Sequence, residues 1–180
     1  IMGISGTDSI LTFLACAKAF ERLNKANRVL GVNFQHVSKN AFVGKGEHFG
    51  CIKDEFNWVA QDVFPWLRKQ VPNALLEVDN AIEHSDDNMR WGRLFSRALN
   101  GNDNRHGLMN EHFFPVGTRN ATEQALGTYT LLSKSVSMLP IVHLYKSEVI
   151  ALCEYLGVPE IAIAKSREID CDCGRFDVQA

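Results

Sequence analysis

The sequence has no run of 18 or more apolar residues, the length at which a stretch reads as a membrane-spanning helix. It also has no excess of basic charge, since 19 Lys and Arg stand against 21 Asp and Glu for a net charge of -2. No general field draws nucleic acid or an anionic membrane to such a chain, so any anion site must be built locally. Five cysteines are an odd and small set. They argue against a disulfide framework and for a reducing compartment, and a cytoplasmic location is expected. Linkers rich in Pro, Ser or Gly, internal repeats and low-complexity tracts are all missing, so a single domain over residues 1–180 is expected. No charged leader precedes an apolar segment; Ile1 reads as the middle of a strand, and the natural N-terminus is expected upstream of it. Gly-x-Gly-x-x-Gly is absent, which excludes a dinucleotide fingerprint, and no Gly-Lys-[Ser/Thr] completes a Walker-type phosphate loop. The six histidines show no HExxH or other paired ligand spacing.

What is present is enough for a core: 46% of the residues are hydrophobic, and a chain of this length buries roughly 70% of its unfolded surface. Ile1-Met2-Gly3-Ile4 reads as the end of a buried strand, and Ile10, Leu11, Phe13, Leu14, Ala17 and Phe20 follow at helical spacing. Arg28 to Phe34 reads as a second buried strand, leading into a Gly- and His-containing loop from Gln35 to Gly50. Phe56, Val59, Ala60, Val63, Phe64 and Leu67 mark an amphipathic helix that Pro65 should bend or end. Asn73 to Val78 is a third strand candidate, and Asp86 to Leu99 another helix. Gly101-Asn102-Asp103-Asn104 is turn-rich, and His112 to Val116 reads as a short strand. Thr118 and Asn120 precede a helix through Leu126, and Leu144 to Leu156 is helical, with Gly157 and Pro159 as stop signals. Strands that alternate with helices predict an α/β fold. It should have three layers, α/β/α, with a mostly parallel sheet and ligands at the carboxyl ends of the strands.

The first such end carries Ser5-Gly6-Thr7-Asp8-Ser9. Helix-start N–H groups and the hydroxyls of Ser5, Thr7 and Ser9 can donate to phosphate oxygens, and Gly6 lets the backbone come close. Asp8 would repel a bare phosphate, and makes sense beside Mg²⁺ bridging to a polyphosphate. The same five residues also read as an ordinary capped helix, because Ser and Asp are preferred N-caps.

The stretch resembles the Ser-Gly-Gly-x-Asp-Ser loop of the ATP pyrophosphatases, one residue shorter. Pro115-Val116-Gly117-Thr118-Arg119-Asn120-Ala121-Thr122-Glu123-Gln124-Ala125-Leu126-Gly127 is similar to the Gly-Thr-x-Asn-x-[Ser/Thr]-Glu-x-x-x-Gly segment of the NAD synthetases. Leu139-Pro140-Ile141, Leu144 to Val149 and Tyr155 to Glu160 are similar to the segment that follows it. The resemblance implies the adenine nucleotide alpha hydrolase-like, Rossmann-like fold and an ammonia-dependent amide ligase that uses ATP and Mg²⁺. It implies that Asp8 and Lys146 are catalytic, and that Ser5, Gly6, Thr7, Ser9, Thr118 and Lys146 hold ATP. Asp8 and Glu123 would bind the metal and Arg90 the acceptor, a small carboxylate such as nicotinic acid adenine dinucleotide, with Lys134 replacing the missing family cation there if the loop takes a new path. A homodimer is implied; a membrane or nucleic-acid partner is not.

The acceptor side departs from the family. Leu131 stands where a lysine is usual, Ser137 where an aspartate is and Asn88 where an arginine is; on the ATP side, Glu168 stands where a threonine is. Arg93, one turn after Asn88, could compensate. A ligase for another carboxylate or nucleobase, a tRNA-modifying relative and a nucleotide-binding module without ligase chemistry therefore stay open. Cys171 and Cys173 are too few and too close for a zinc site, whereas Cys16 and Cys153 lie on apolar helix faces and read as core. Among the histidines, His36 stands out because it follows the second strand.

Overall fold

The computed structural model describes residues 1–36, 58–82, 87–100 and 112–167. Among the described residues, three strands, β1 (Met2–Gly3), β2 (Leu30–His36) and β3 (Leu75–Ile82), form a parallel sheet in the order β1-β2-β3. Met2 pairs with Gly31 and Leu30 with Leu75, and an irregularity between Phe34 and His36 ends the regular β2–β3 register. Among the described residues, six α-helices follow one another: α1 (Thr7–Glu21), α2 (Phe64–Gln70), α3 (Asp87–Asn100), α4 (Ala121–Leu126), α5 (Lys146–Tyr155) and α6 (Glu160–Arg167).

Both sheet faces are covered, as the alternation predicts. One core joins Met2 and Ile4 to Phe13, Phe64, Leu67, Val149, Cys153 and Ile163, which brings α1, α2, α5 and α6 together. A smaller core joins Leu30, Val32 and Phe34 to Leu94 and Ala98 of α3. Charge also holds α3 to the sheet. Arg97 pairs with Glu77 and lies 3.4 Å from Asp79 Oδ2, which Arg93 Nε approaches to 3.2 Å. Both carboxylates are buried, and removing Arg97, which reaches both, would weaken the compensation of buried charge. Cys153 is buried and Cys16 packs partly buried against the same core, as expected of core thiols; burial pushes the Cys153 thiol up to about 12.

Close packing between α1 and the sheet leaves no room at Gly31. A Cβ there would lie 2.4 Å from Ile4 Cδ1 and 2.8 Å from Phe13 Cε2. Gly31→Ala is therefore expected to destabilise the protein by about 1–3 kcal/mol through overpacking. The denaturant midpoint should fall with an unchanged m value. An unshifted midpoint would show that α1 moves away at little cost.

Two local readings need correction. Pro65 does not end its helix: a π-helical turn over Val59–Val63 passes directly into α2, with Pro65 in the first turn, where a missing N–H is tolerated. His112 to Val116 is not a regular strand. Val116 makes only an isolated parallel bridge with Met138, and its N–H donates to Ile1 O at 2.8 Å. The segment lies along the β1 edge, but β1 is too short to template a ladder. α6, beyond the Gly157–Pro159 stop, is an element that the sequence reading left unassigned. Gly157, at φ 69°, does end α5, and Val158, Ala162 and Ile163 then re-enter the core. The Gln35 to Gly50 loop beyond 36, Gly101 to Asn104, Cys51, Glu168, Cys171, Cys173 and the side chains of His36 and Asn88 lie outside the described residues.

Candidate active site at the end of the first strand

β1 ends in the short loop that opens α1. Asn33, buried in β2, donates from Nδ2 to Ile4 O at 3.0 Å and fixes the point where the chain leaves the sheet. Ser9 Oγ accepts the N–H groups of Ser5 (2.9 Å) and Gly6 (3.1 Å) and donates to Gly6 O at 2.8 Å. Its hydroxyl is thus committed to shaping the loop, rather than pointing at a phosphate as its position suggests. Gly6 caps α1 in an extended conformation, and a Cβ there would meet nothing within 4 Å, so the backbone is open on that side. Ser5 is half-buried beside it.

Asp8 is the hub. Its Oδ1 accepts Asn120 Nδ2 at 2.8 Å, and its Oδ2 pairs with the Lys146 ammonium. Lys146 Nζ also donates to Thr7 Oγ1 at 3.0 Å, and its backbone N–H donates to Thr122 Oγ1 at 3.0 Å. Thr7 Oγ1 lies 2.7 Å from Ser166 Oγ of α6. One loop and three helices, α4, α5 and α6, therefore meet at two consecutive residues of the first helical turn.

Glu123 is held by a reciprocal cap. Asn120 Oδ1 accepts the Glu123 N–H at 2.9 Å, and Glu123 Oε2 accepts the Asn120 N–H at 3.1 Å. Burial first, and then the nearby Asp8 charge, raise the Glu123 pKa above its ordinary value. Two neighbouring carboxylates, with the Glu123 anion disfavoured by burial and by the Asp8 charge, are a fitting place for a cation. Mg²⁺ takes one or two protein carboxylates together with phosphate oxygens, so it needs no larger protein cage. Among the described residues no group of three or more His, Cys, Asp or Glu could hold a metal. A pair of carboxylates suits a metal that arrives with a polyphosphate.

Thr118 is half-buried just before this cap, and Gly117 packs so tightly that a Cβ would lie 2.6 Å from Leu139 Cδ2. The two acceptor candidates stand apart from the Asp8 hub. Lys134 Nζ lies 5.5 Å from the centre of the Tyr129 ring, and Arg90 is on α3, which packs against the turn Leu131–Lys134. Arg93, the candidate substitute for a lost arginine, is engaged with Asp79. Leu131 is 77% exposed, so no cation is supplied at that position.

Four contributors were not singled out from the sequence. Asn120 carries a local signal, the Asn-x-x-Glu box that it forms with Glu123. A polar residue inside an apolar strand marks Asn33. Thr122 fills the [Ser/Thr] position of the segment that resembles the NAD synthetases. Ser166 has no signal, because its partner is set by the packing of distant helices.

The NAD synthase family model matches residues 1–178. No curated protein matches the chain. Among solved structures, the chain is similar to the NH3-dependent NAD synthetase from Campylobacter jejuni in complex with the nitrate ion, at 20% identity and a TM-score of 0.50, over 91% of this chain and 66% of that one. It is also similar to the glutamine-dependent NAD+ synthetase from Acinetobacter baumannii in complex with ADP, at 20% identity and a TM-score of 0.55, over 92% of this chain and 31% of that one. The chain thus spans less than two thirds of the length of either. At 20% identity both likenesses show a shared α/β fold.

Proposed function

Because the chain belongs to the NAD synthase family, we propose that it is an ATP-dependent amide ligase that adenylates a small carboxylate and releases it as an amide to free ammonia. The observation that carries this reading is the convergence of Asn120, Lys146 and the first turn of α1 on Asp8. It supplies a cation, a metal-seeking carboxylate and an open glycine loop at one strand end, where α/β folds bind nucleotides.

The acceptor carboxylate attacks the α-phosphorus of ATP. A new O–P bond forms as the α–β bridging bond breaks, and pyrophosphate leaves. Ammonia then attacks the acyl carbon, AMP departs with the carboxyl oxygen, and a proton is lost to leave the amide. Such chemistry needs alignment and charge neutralisation more than proton transfer. The Gly6 backbone and the Ser5 hydroxyl hold the phosphates, with Thr7 and Ser9 shaping their loop. Lys146 offsets charge on the departing pyrophosphate, and Thr118 contacts ATP. Asp8 and Glu123 would hold Mg²⁺, which supplies electrostatic shielding of the phosphate oxygens. Arg90 and Lys134 lie on the acceptor side.

The protein works as a cytoplasmic homodimer in this reading; none of the described helices is long and apolar enough to cross a membrane. The test is pyrophosphate release with ATP, Mg²⁺ and ammonium against nicotinic acid adenine dinucleotide and other carboxylates. Release that depends on one carboxylate and on ammonium is expected. ATP binding without release over the whole panel would overturn the ligase reading, and turnover with glutamine but not ammonium would overturn ammonia as the donor.

A further inference from the structure

Thr7 is fully buried in the first turn of α1, and its hydroxyl meets side chains from two helices far along the chain. Lys146 Nζ of α5 donates to Thr7 Oγ1 at 3.0 Å, and Ser166 Oγ of α6 lies 2.7 Å from the same oxygen. An ammonium only donates, so Thr7 Oγ1 is the acceptor in the first contact. Its single hydrogen then needs an acceptor of its own, because a buried hydroxyl hydrogen without one is costly. Ser166 Oγ is within reach. The donor order that satisfies the Thr7 hydroxyl therefore runs from Lys146 to Thr7 to Ser166.

This order bears on where the ammonium points. A lysine carries its charge on a flexible four-carbon stem with three rotatable donors, so only its partners fix it. Lys146 gives one donor to Asp8 Oδ2 and one to Thr7 Oγ1, and among the described residues the third meets no acceptor. Asp8 is itself the metal candidate, and its oxygen would be shared between two cations. Thr7 is neutral and has no such second claim. By taking the Thr7 hydrogen, Ser166 turns a lone pair of Thr7 toward Lys146, and consecutive hydrogen bonds of this kind strengthen one another.

We infer that Ser166 is a positioning residue: through the Thr7 hydroxyl it holds the Lys146 ammonium at the pyrophosphate end of bound ATP, leaving the third N–H for a phosphate oxygen. Ser166 acts without touching the nucleotide. The place of Lys146 on ATP rests on the ligase reading; the path from Ser166 through Thr7 to Lys146 rests on the geometry alone.

ATP and AMP are titrated calorimetrically into the full chain with Mg²⁺ present, since only ATP carries the phosphates assigned to Lys146. In Ser166→Ala, ATP affinity should fall about three- to tenfold, the range that one net hydrogen bond supports, while AMP affinity stays within about twofold. Alanine is the better helix former, so this variant should fold. Thr7→Val keeps the side-chain shape and removes both hydrogen bonds. It should lose at least as much affinity for ATP, and adding Ser166→Ala to it should change nothing further. Ser166→Thr keeps the hydroxyl and should restore ATP affinity. Equal losses for ATP and AMP would reduce Ser166 to packing and overturn the proposal. Unchanged ATP affinity in Ser166→Ala, a loss in Ser166→Thr as large as in Ser166→Ala, or additive losses in the double variant would overturn it too.

Pyrophosphate release separates this proposal from the ligase reading. With a carboxylate that supports release, kcat in Ser166→Ala should fall by a similar factor while KM for the carboxylate stays unchanged. An undiminished kcat would overturn the role of Ser166 and leave the ligase reading standing. If ATP binds but no carboxylate supports release, the ligase reading falls, and the ATP and AMP titrations still decide Ser166. No ATP binding by the wild-type chain would overturn both.

Discussion

Asp8→Asn is expected to lower pyrophosphate release by about 10²–10³-fold, the range seen when one electrostatic contact to a developing charge is removed. The change is close to isosteric. The asparagine oxygen can still accept Asn120 Nδ2, which now lies 2.8 Å from Asp8 Oδ1, so the link from α1 to α4 survives. What disappears is the negative charge facing Lys146 and the only ionised oxygen that this turn offers a metal. The Asp8–Lys146 pair is partly solvated, with side chains 16% and 33% exposed, and its loss should cost stability modestly because surface-like pairs are worth little. Melting temperature and far-UV circular dichroism should therefore stay close to wild type while turnover collapses. Turnover within threefold of wild type would remove Asp8 from the metal and phosphate chemistry.

Glu123→Gln should show the opposite balance, with turnover lost to a similar degree and stability gained. Burial and the Asp8 charge raise the Glu123 pKa, so the folded protein holds this proton more tightly than the unfolded chain does. By linkage, the stability from the protonated form is fully present below the unfolded value near 4.5 and is lost as pH rises through the raised folded value. At neutral pH the ionised carboxylate therefore costs stability in the absence of metal. Glutamine retains an oxygen for the Asn120 N–H, and the Glu123 N–H still reaches Asn120 Oδ1, so the α4 cap persists. Metal-free Glu123→Gln should melt higher than wild type at neutral pH, with the gap closing as the pH is lowered below the unfolded value. In wild type, apparent Mg²⁺ affinity should weaken as pH falls through the raised pKa, at a higher pH than an ordinary glutamate would give. Melts across this range and Mg²⁺ titrations of turnover provide the check. A variant less stable than wild type at neutral pH would show that Glu123 serves mainly as a cap.

These two carboxylates also show how a site and a scaffold share residues. Glu123 closes a helix cap and faces Asp8 at once, so neither reading of its position from sequence excludes the other. Asp8 likewise both sits in the first turn of α1, where its charge suits the helix dipole, and links two other helices.

The order of strands and helices, the β1–loop–α1 unit and the α5 stop at Gly157 were legible in the sequence, because hydrophobic period, caps and left-handed glycines act within a few residues. The same locality explains why the Ser5–Ser9 and Thr118–Glu123 segments could be recognised at all. What the sequence left open was decided by packing. Ser166 reaches Thr7 across 159 positions, and Arg93 turns to Asp79 rather than to the acceptor side. Ser9 closes its own loop instead of facing outward, and Arg119 comes to rest on Tyr129. No residue type announces such partners in advance. A hydroxyl or a guanidinium can satisfy itself in many ways, and the one it adopts is set by which helices the two cores press together.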